Sequence, residues 1–544
     1  MMQIRFLGAS KVVTGSNFLI ETDKYKILLD CGMFQGSEEL EKLNFEKFSY
    51  NPADIDYLIL SHAHIDHSGR IPKLVKEGFK GKIICTSATF DLCKIMLIDS
   101  ANIQQSDVEW ENRKRQRAGK EPIEPLYTVD DAELSLKYFE TYLYDQKITL
   151  NEDIIVRFKD AGHILGSSII ELWVKEKKEF TKIVFSGDLG MPGRPIIKKP
   201  EYIDEADYLI IESTYGNRIH EDIKASAKKL VDIINTTALR GGSVIIPSFA
   251  VGRTQEIIYE LNKYYEYDKS VEEYMRIPVY VDSPMAVRAT EAFQANPNCF
   301  NEETKKMILN GDNPFEFQNL FYVKSQQESM KLNKYNFPRV VISSSGMCTA
   351  GRIRHHLKHN LWKGSNSIVF VGYQAEGTLG RRLLDGDKNV KILGEDIKVE
   401  AEIYDLEGFS GHADQNVLMD WLNKFEQKPK KIFVVHGEKD SSEEFAELIE
   451  TKLGVETIVP NLGDGFNIEE VVKQSHSGVV LEPIKESEDI KRELKEVYDQ
   501  FEALVYRTDE LIDPKFLSED YDNLKNKLLE LQQKLMDLNM LISK

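Results

Sequence analysis

The sequence lacks the features that would place the protein in or across a membrane. None of its apolar runs approaches the roughly 18 to 20 consecutive residues that a transmembrane helix needs. The segment 1–8 (MMQIRFLG) has neither the long apolar core nor the cleavage site of a secretion signal, and it is typical of a β-strand. We therefore expect a cytoplasmic protein with no membrane partner.

Cysteine and positive charge are also in short supply. The 544 residues include five cysteines, which are scattered and form no Cys-x-x-Cys pair, so neither a disulfide framework nor a cysteine zinc site is expected. With 89 acidic and 70 basic residues, the net charge of −19 argues against a protein that coats nucleic acid through bulk electrostatic attraction. A polyanionic ligand would have to be bound locally, by a metal centre and a few arginines.

The length of the chain and its strand pattern predict several domains rather than one. Up to residue 207, short β-branched segments alternate with Gly, Pro and Asn turns, which indicates a two-sheet or mixed α/β domain (1–207). From 208 to 394, strands alternate with helical segments, which favours a parallel sheet covered by helices. The first pattern returns over 395–475, including a strand at 399–404, so the second domain is predicted to be inserted into the first.

The segment 487–544 differs from the rest of the chain. Its apolar residues fall at alternating steps of three and four, and Asp513 and Pro514 interrupt them, because proline breaks a helix. This pattern predicts a helical hairpin, and its heptad-like steps make a homodimer a reasonable hypothesis.

Metal-ligating residue types are concentrated in the segment 61–69 (SHAHIDHSG), which follows a predicted strand. Three imidazoles and a carboxylate within six residues form a dense ligand set with little structural purpose in a loop. Alternation directs His62 and His64 to one side, whereas Asp66 and His67 follow at the start of a helix and can face a second ion. One short segment can therefore provide ligands for two metal positions.

Two further candidate ligands lie downstream, and the set as a whole resembles a known family. His163 and Asp188 each lie next to glycines, which let the backbone approach a crowded site. Position by position, these residues resemble the signature of the metallo-β-lactamase superfamily, which implies an αββα sandwich that binds two zinc ions. The resemblance assigns His62, His64 and His163 to one zinc, and Asp66 and His67 to the other. Asp188 would bridge the two ions. It also implies that Asp30, which is not itself a metal ligand, supports the loop that carries the ligands.

Three more motifs narrow the family. The segments 210–216 (IIESTYG), 408–414 (GFSGHAD) and 434–438 (VVHGE) resemble the motifs of the β-CASP branch, whose members process nucleic acids. The resemblance covers nearly everything before the segment 487–544. It implies an α/β fold in which a parallel α/β β-CASP domain is inserted into the metallo-β-lactamase sandwich, with the helical hairpin at the carboxyl end.

The β-CASP resemblance also implies roles and a substrate. His436 would complete the ligands of the second zinc, and Glu212 would hold His412 beside the scissile phosphate. Members specific for DNA typically carry an aliphatic residue where this chain has His436, so RNA, preferably single-stranded, is the expected substrate.

These residue types predict a hydrolytic mechanism. Two metal ions can lower the pKa of a bridging water and clamp the attacking and leaving oxygens of a phosphodiester. Asp66 is expected to accept the proton of the water, and His412, oriented by Glu212, is expected to protonate the leaving oxygen. Candidate phosphate contacts are Arg253, Arg352, Ser344, Ser345 and Gly346. For either arginine, a surface salt bridge is an equal alternative.

The sequence leaves several functions to be compared. An endonuclease is preferred over a 5′-to-3′ exonuclease, because no further domain of the ribonuclease J type follows the motifs. A small-molecule hydrolase of the thioesterase or lactonase type could use the same zinc pair, but it would need neither the inserted domain nor Glu212 with His412. A non-catalytic RNA-binding scaffold is the third alternative, and the intact ligand set argues against it.

Overall fold

The computed structural model describes residues 2–176, 179–220, 223–267, 276–375, 377–468 and 473–474. These residues belong to the first of two compact units, Met1–Gly478, and the second unit is Val479–Lys544. The predicted helical hairpin at 487–544, and with it the homodimer hypothesis, lies outside the described residues. Among those residues, no helix is both long and apolar enough to cross a bilayer.

The first sheet carries the loop that is richest in histidine. Within the described ranges it has eight strands, side by side in the order Lys473–Gln474, Gly465–Asn467, Gln3–Phe6, Phe18–Glu21, Lys26–Leu29, Tyr57–Ile59, Lys82–Thr86 and Phe139–Tyr142. The last four of these strands run parallel to one another. Their central members are apolar and largely buried, as expected for parallel strands with both faces covered.

The second sheet has seven strands in the described part of the chain. Their order is Thr457–Ile458, Lys431–Val435, Tyr208–Glu212, Glu179–Phe185, Ser168–Glu176, Ile154–Asp160 and Ile148–Asn151. Antiparallel Ile154–Asp160 alternates buried and half-buried residues, because only one of its faces packs against the other sheet. By contrast, Tyr208–Glu212 is buried at every position and has a parallel neighbour on each side.

The two sheets pack face to face, and helices cover their outer faces. One apolar cluster contains residues from both sheets, with ring centroids 5.3 Å apart for Phe18 and Phe185 and 5.0 Å apart for Phe6 and Phe433. Separate clusters join each sheet to its covering helices. These helices are Ile65–Ser68, Ile71–Lys76, Ser87–Arg117, Val129–Ser135, Gln415–Asn423 and Lys439–Leu453. A further short helix, Glu38–Lys42, has no buried residue. The predicted αββα sandwich is confirmed, and we call it the two-sheet part.

A third sheet is formed by the residues between Tyr208–Glu212 and Lys431–Val435. Its six described strands are all parallel and lie in the order Leu320–Tyr322, Val279–Val281, Val340–Ser343, Val244–Pro247, Ser367–Phe370 and Glu402–Asp405. Its helices are Ile223–Leu239, Arg253–Asn262, Pro284–Ala295, Glu302–Leu309, Gln326–Leu332, Ile353–Asn360 and Leu379–Leu384. A short hairpin, Asn389–Ile392 with Glu395–Lys398, is attached to them. We call residues 223–405 the inserted part.

The inserted part confirms the predicted parallel α/β insertion. One strand, however, lies in a different sheet from the one expected. The strand predicted at 399–404 as part of the first domain lies at Glu402–Asp405, where it pairs with Ser367–Phe370 at the edge of the third sheet. A short apolar pattern shows that a strand forms but not which sheet provides its hydrogen-bond partner. The domain boundaries themselves stay a prediction.

Candidate metal centre

The sheet edges bring distant loops together. Parallel strands end at the same edge of a sheet, and side chains that follow such strands therefore meet there. Asp30 follows Lys26–Leu29, the segment 61–69 follows Tyr57–Ile59, and Asp188 follows Glu179–Phe185. His436 directly follows Lys431–Val435, whose parallel neighbour ends with Glu212. Most of the residues predicted from the sequence thus converge because of the strand topology.

The first cluster contains His62, His64, His163 and Asp188, whose candidate ligand atoms lie within 4.8 Å of one another. Nδ1 of His64 lies 3.2 Å from Nε2 of His62 and 3.2 Å from Nε2 of His163. Oδ2 of Asp188 lies 3.4 Å from Nε2 of His62 and 3.5 Å from Nε2 of His163. Three ring nitrogens and one carboxylate oxygen therefore surround a common point.

The second cluster contains Asp66, His67 and His436, again within 4.8 Å. The Nε2 atoms of His67 and His436 are 3.1 Å apart, and Oδ2 of Asp66 lies 3.5 Å from Nε2 of His436. Oδ1 of Asp188 lies 3.3 Å from Nε2 of His67. Asp188 is therefore placed between the clusters, with one oxygen turned to each.

Hydrogen bonds to the outer nitrogen of a histidine ring turn its other nitrogen, the candidate metal ligand, toward the interior of the cluster. Nδ1 of His163 donates to the carbonyl of Gly411 at 3.2 Å. Nδ1 of His62 lies 3.0 Å from the Ser61 hydroxyl, and Nδ1 of His436 lies 3.1 Å from the Thr214 hydroxyl. With these nitrogens engaged, the Nε2 atoms face the cluster interiors, as metal-ligating histidines require.

The buried Asp30 orients His67 in the same way. Its carboxylate accepts hydrogen bonds from Nδ1 of His67 and from the backbone and hydroxyl of Ser61, each at 2.7 Å. Asp30 thereby connects the ring of one candidate ligand with the start of the segment that carries four of them. This position is the one expected of a residue that supports the ligand loop.

The donor set fits divalent cations. Neither oxygen of Asp188, which is 1% exposed, accepts a hydrogen bond within the described part of the chain, although an unpaired buried carboxylate is costly. Burial lowers the pKa of His62 and His163 well below the usual value and that of His64 to about 4, so these rings are neutral and present lone pairs. Burial also opposes charge on His67, but Asp188 and Asp66 raise its pKa well above normal, because their carboxylates favour a positive charge at this position.

His412 and Glu212 lie beside the two clusters, and with Asp188 they form a third group whose candidate ligand atoms lie within 4.8 Å of one another. Nδ1 of His412 lies 3.2 Å from Oε2 of the fully buried Glu212, whose Oε1 accepts the backbone N–H of Leu189 at 2.6 Å. Burial alone would lower the pKa of His412, but Glu212 and Asp188 outweigh it and raise the pKa to about 9. The imidazole, 19% exposed, lines the cleft next to Asp66 and therefore presents a proton there at neutral pH.

The predicted phosphate contacts are only partly brought together. Arg253 lines the cleft, where Nη1 pairs with Glu256 and the buried Nε has no partner among the described residues. Ser345 also lines the cleft, whereas the hydroxyl of Ser344 is 2.5 Å from that of Ser283. Gly346 packs so closely against Phe249 that a Cβ at this position would lie 2.9 Å from the ring.

Arg352 differs from the other phosphate candidates. Its Nη1 donates to the buried carboxylate of Asp282 at 2.6 Å, and it is not part of the cleft lining. The salt-bridge alternative therefore describes Arg352 better than a phosphate contact.

A cleft of about 220 Å³ opens next to the two clusters, between the two-sheet part and the inserted part. Five residues of the candidate site line it: His64, Asp66, His163, His412 and His436. Its wall is largely apolar and comes from both parts: Val13, Met96, Ile164, Phe249, Val251, Met285, Met347 and Tyr373. A substrate with both an anionic group and an apolar planar group could therefore be held here.

Several residues at the site were not found by sequence reasoning. Ser61 and Thr214 bind the outer nitrogens of candidate ligands, and the half-buried Phe249 forms part of the cleft wall. Arg194 and Glu256 form a buried ion pair between the two parts. Residue type was the available signal for Phe249, since an aromatic ring next to a nucleic-acid site is a stacking candidate. No local signal distinguishes Arg194 from other arginines.

Family models match three stretches of the chain. The metallo-beta-lactamase superfamily model matches 11–146, the Beta-Casp domain model matches 254–383, and the model of the Zn-dependent metallo-hydrolase RNA specificity domain matches 396–460. The first two fall on the two-sheet and inserted parts, and the third includes His412 and His436.

Curated proteins match over most of the chain. Ribonuclease TTHA0252 of Thermus thermophilus is 36% identical over 467 residues, which are 86% of this chain and 100% of that protein. The RNase J-like protein of Methanocaldococcus jannaschii is 35% identical over 85% of this chain and 99% of that protein. Transcription termination factor FttA of the same organism is 31% identical over 86% of this chain and 72% of that protein. The chain therefore belongs to the β-CASP branch of the metallo-β-lactamase superfamily.

Proposed function

We propose that the protein is a zinc-dependent ribonuclease that hydrolyses RNA phosphodiester bonds in the cleft between its two parts. The observation that carries the proposal is the arrangement of two histidine and aspartate clusters, joined by Asp188, next to a proton-bearing His412. The names of two relatives, a ribonuclease and an RNase J-like protein, support it, and so does the RNA specificity domain model.

We propose that His62, His64, His163 and Asp188 hold one zinc ion, and that Asp66, His67, His436 and Asp188 hold a second. Two bound divalent ions would supply a water of lowered pKa and would neutralise charge that develops on the phosphate. The imidazole nitrogens and carboxylate oxygens of the clusters are ligand types that zinc accepts.

The chain itself would move the two protons of the reaction. Burial would raise the pKa of Asp66, but the neighbouring His67 and His436 lower it, so its carboxylate stays ionised and can accept a proton from the attacking water. His412 holds its proton while Glu212 fixes Nδ1, and the imidazole would pass a proton to the leaving oxygen. Accepting and donating groups thus line one cleft.

We propose that Arg253 and Ser345 contact phosphates that flank the scissile bond. Arg253 and Arg194 share the single carboxylate of Glu256, so this buried group of three charges carries a net positive charge. That local field would attract an anion into a protein whose net charge is −19. Arg253 lines the cleft, where its guanidinium can donate to a phosphate oxygen.

We propose single-stranded RNA as the preferred form of the substrate. The Phe249 ring is backed by Gly346 and Gly372 and lies 6.5 Å from the ring of His64, measured between centroids. It is half-buried and lines the cleft wall. An unpaired base next to the scissile phosphate could stack on this ring, whereas a base paired in a duplex could not.

Replacing Phe249 tests this assignment. We expect Phe249→Ala to lower kcat/KM for single-stranded RNA by roughly 5- to 150-fold, since stacking of one base contributes about 1–3 kcal/mol. Phe249→Trp should retain most of the activity. On a substrate that lacks the base beside the cleaved phosphate, Phe249→Ala and the wild type should react at similar rates. An equal loss on both substrates would contradict stacking.

A circular RNA distinguishes the proposed endonuclease from a 5′-to-3′ exonuclease. We expect the zinc-loaded protein to convert a circular, internally labelled RNA first to a linear molecule of full length, because hydrolysis within the cleft needs no chain end. The same assay on circular single-stranded DNA should show little product.

Other results would support the alternatives. Degradation of linear RNA with the circle left intact would favour an exonuclease. Hydrolysis of thioesters or lactones without cleavage of any RNA would favour the small-molecule hydrolase, and tight RNA binding without any product would favour the scaffold.

A further inference from the structure

One guanidinium group joins the two-sheet part to the inserted part. Arg194 follows Asp188 in the two-sheet part and is 4% exposed. Its Nε donates to Oε1 of Glu256 at 2.8 Å, and its Nη2 donates to Oε2 of the same carboxylate. Glu256 lies in the first turn of helix Arg253–Asn262 in the inserted part. The pair is bidentate, which fixes the relative orientation of its two groups as well as their separation.

The same guanidinium binds the backbone that leads to His412. Nη2 donates to the carbonyl of Phe409 at 3.0 Å, and Nη1 donates to the carbonyl of Ser410. The next carbonyl, that of Gly411, accepts Nδ1 of His163. Three successive carbonyls before His412 are therefore held by side chains of the two-sheet part.

The segment that contains His412 has little freedom beyond these bonds. A Cβ at Gly411 would come within 2.9 Å of Nη2 of Arg253 and 3.2 Å of Cε1 of His163, so the backbone is packed between the two side chains. On the other side, the backbone N–H of Ala413 donates to the carbonyl of Leu189 at 2.7 Å. A shift at either end would move the imidazole relative to the metal clusters.

We propose that Arg194 is a positioning residue, which holds the backbone carbonyls of Phe409 and Ser410 so that His412 faces the metal clusters, and couples this placement to the docking of the inserted part through Glu256. The proposal rests on the ribonuclease function proposed above. Arg194 is not part of the cleft lining, so it makes no contact of its own with a substrate in the cleft. Lysine could not replace it, because one ammonium group cannot reach a carboxylate and two carbonyls in this planar arrangement.

Arg194→Lys keeps the charge and removes the fork of donors. We expect this variant to lower kcat for RNA cleavage by about 10- to 100-fold, as is typical for residues that orient a reactive group, with KM changed less than about 3-fold. In a His412→Ala background the same substitution should cause no further loss beyond about 2-fold, because residues that act through one another are not additive. Rate losses that multiply would overturn the proposal.

Arg240→Lys is a matched control. Arg240 also binds two backbone carbonyls, those of Ser365 at 2.7 Å and Asn366 at 3.3 Å, and it pairs with Glu402. It lies in the inserted part away from the cleft lining, so its replacement should leave kcat unchanged. A loss equal to that of Arg194→Lys would show a general effect of arginine removal and would overturn the proposal.

Hydrogen exchange gives a readout that needs no activity. In the metal-free protein we expect the amides of residues 411–413 to exchange at least about 10-fold faster in Arg194→Lys than in the wild type, with unchanged exchange in the strand Lys431–Val435. Unchanged exchange at 411–413 would overturn the proposal. If the wild type cleaves no RNA, the proposed function fails, and this exchange experiment alone decides whether Arg194 holds the segment.

Glu256→Gln is a second variant for the case in which Arg194→Lys does not fold. It leaves the two carbonyl bonds of Arg194 in place and removes the charge that orients the guanidinium. We expect faster exchange at the same amides and a loss of several-fold in kcat. No change in either measurement would overturn the proposal.

Discussion

His412→Ala is expected to lower the rate of RNA cleavage by about 10²- to 10⁴-fold, the usual contribution of a positioned general acid. The imidazole is held by Glu212, which together with Asp188 raises its pKa to about 9 in spite of burial. Alanine removes this proton donor from the cleft. Because His412 is not among the two clusters assigned to zinc, the metal content measured by elemental analysis should not change.

A sulfur leaving group tests the acid role directly. Thiolate leaves without protonation, so an RNA with sulfur in place of the leaving 3′ or 5′ oxygen should be cleaved by His412→Ala at nearly the wild-type rate. Glu212→Gln should also lower the rate on normal RNA, because the neutral amide no longer favours the charged imidazole and its single oxygen cannot accept from both Leu189 and His412. The exposed His355 provides the control, and His355→Ala should behave as wild type. An equal loss on the oxygen and sulfur substrates would rule out the acid role.

Asp188→Asn is expected to reduce RNA cleavage by at least about three orders of magnitude, because several kcal/mol of charge stabilisation depend on the bound ions. Each oxygen of Asp188 is turned to a different cluster, at 3.4 Å from Nε2 of His62 and 3.3 Å from Nε2 of His67. A neutral amide cannot compensate positive charge at either site. Elemental analysis should find about two zinc ions per chain in the wild type and clearly fewer in the variant.

The stability of the protein offers a second measurement for this prediction. An ion that binds only the folded state stabilises it, so zinc added to the chelator-treated wild type should raise the Tm and restore activity. Asp188→Asn should show a much smaller increase. Asp130→Asn, a change at an exposed carboxylate, should respond to zinc as the wild type does. A full zinc-dependent increase in the Asp188 variant would contradict the bridging position.

The candidate ligands were predictable because their chemistry is locally dense or their motifs are distinctive. The segment 61–69 gathers four donors in one loop, and three more candidates, His163, Asp188 and His436, directly follow strands or glycine turns. The sequence could not give the outer hydrogen bonds, such as that from Thr214 to the ring of His436, because these depend on where two distant strands end.

The charged residues show where prediction from sequence stops. Arg253 and Arg352 looked equivalent in the sequence, yet one lines the cleft and the other pairs with Asp282. Arg194 gave no signal, because its partners Glu256, Phe409 and Ser410 are distant in sequence and two of them are backbone carbonyls, which any residue type provides. A carbonyl acceptor can be recognised only from the fold.

The class of fold was predictable from the sequence, but the pairing of individual strands was not. Apolar strands alternating with helices indicated the inserted parallel sheet, since parallel strands buried on both faces are continuously apolar. The strand expected at 399–404 as part of the returning first domain lies at Glu402–Asp405 in the third sheet, because strand pairing is decided by neighbours in space. The same limit applies to any short edge strand.

The place where the inserted part leaves the sandwich has a consequence for the evolution of this family. The chain leaves the sandwich after Tyr208–Glu212 and returns close to that point, because Tyr215 and Asp414 form a parallel β-bridge. This bridge closes the gap, and the ladder between Tyr208–Glu212 and Lys431–Val435 keeps Glu212 beside His436 whatever lies between. Lengthening or shortening the insertion then costs little, because closing a longer loop adds only a small entropic penalty. Substrate range can diversify through that module while the hydrolytic machinery stays the same.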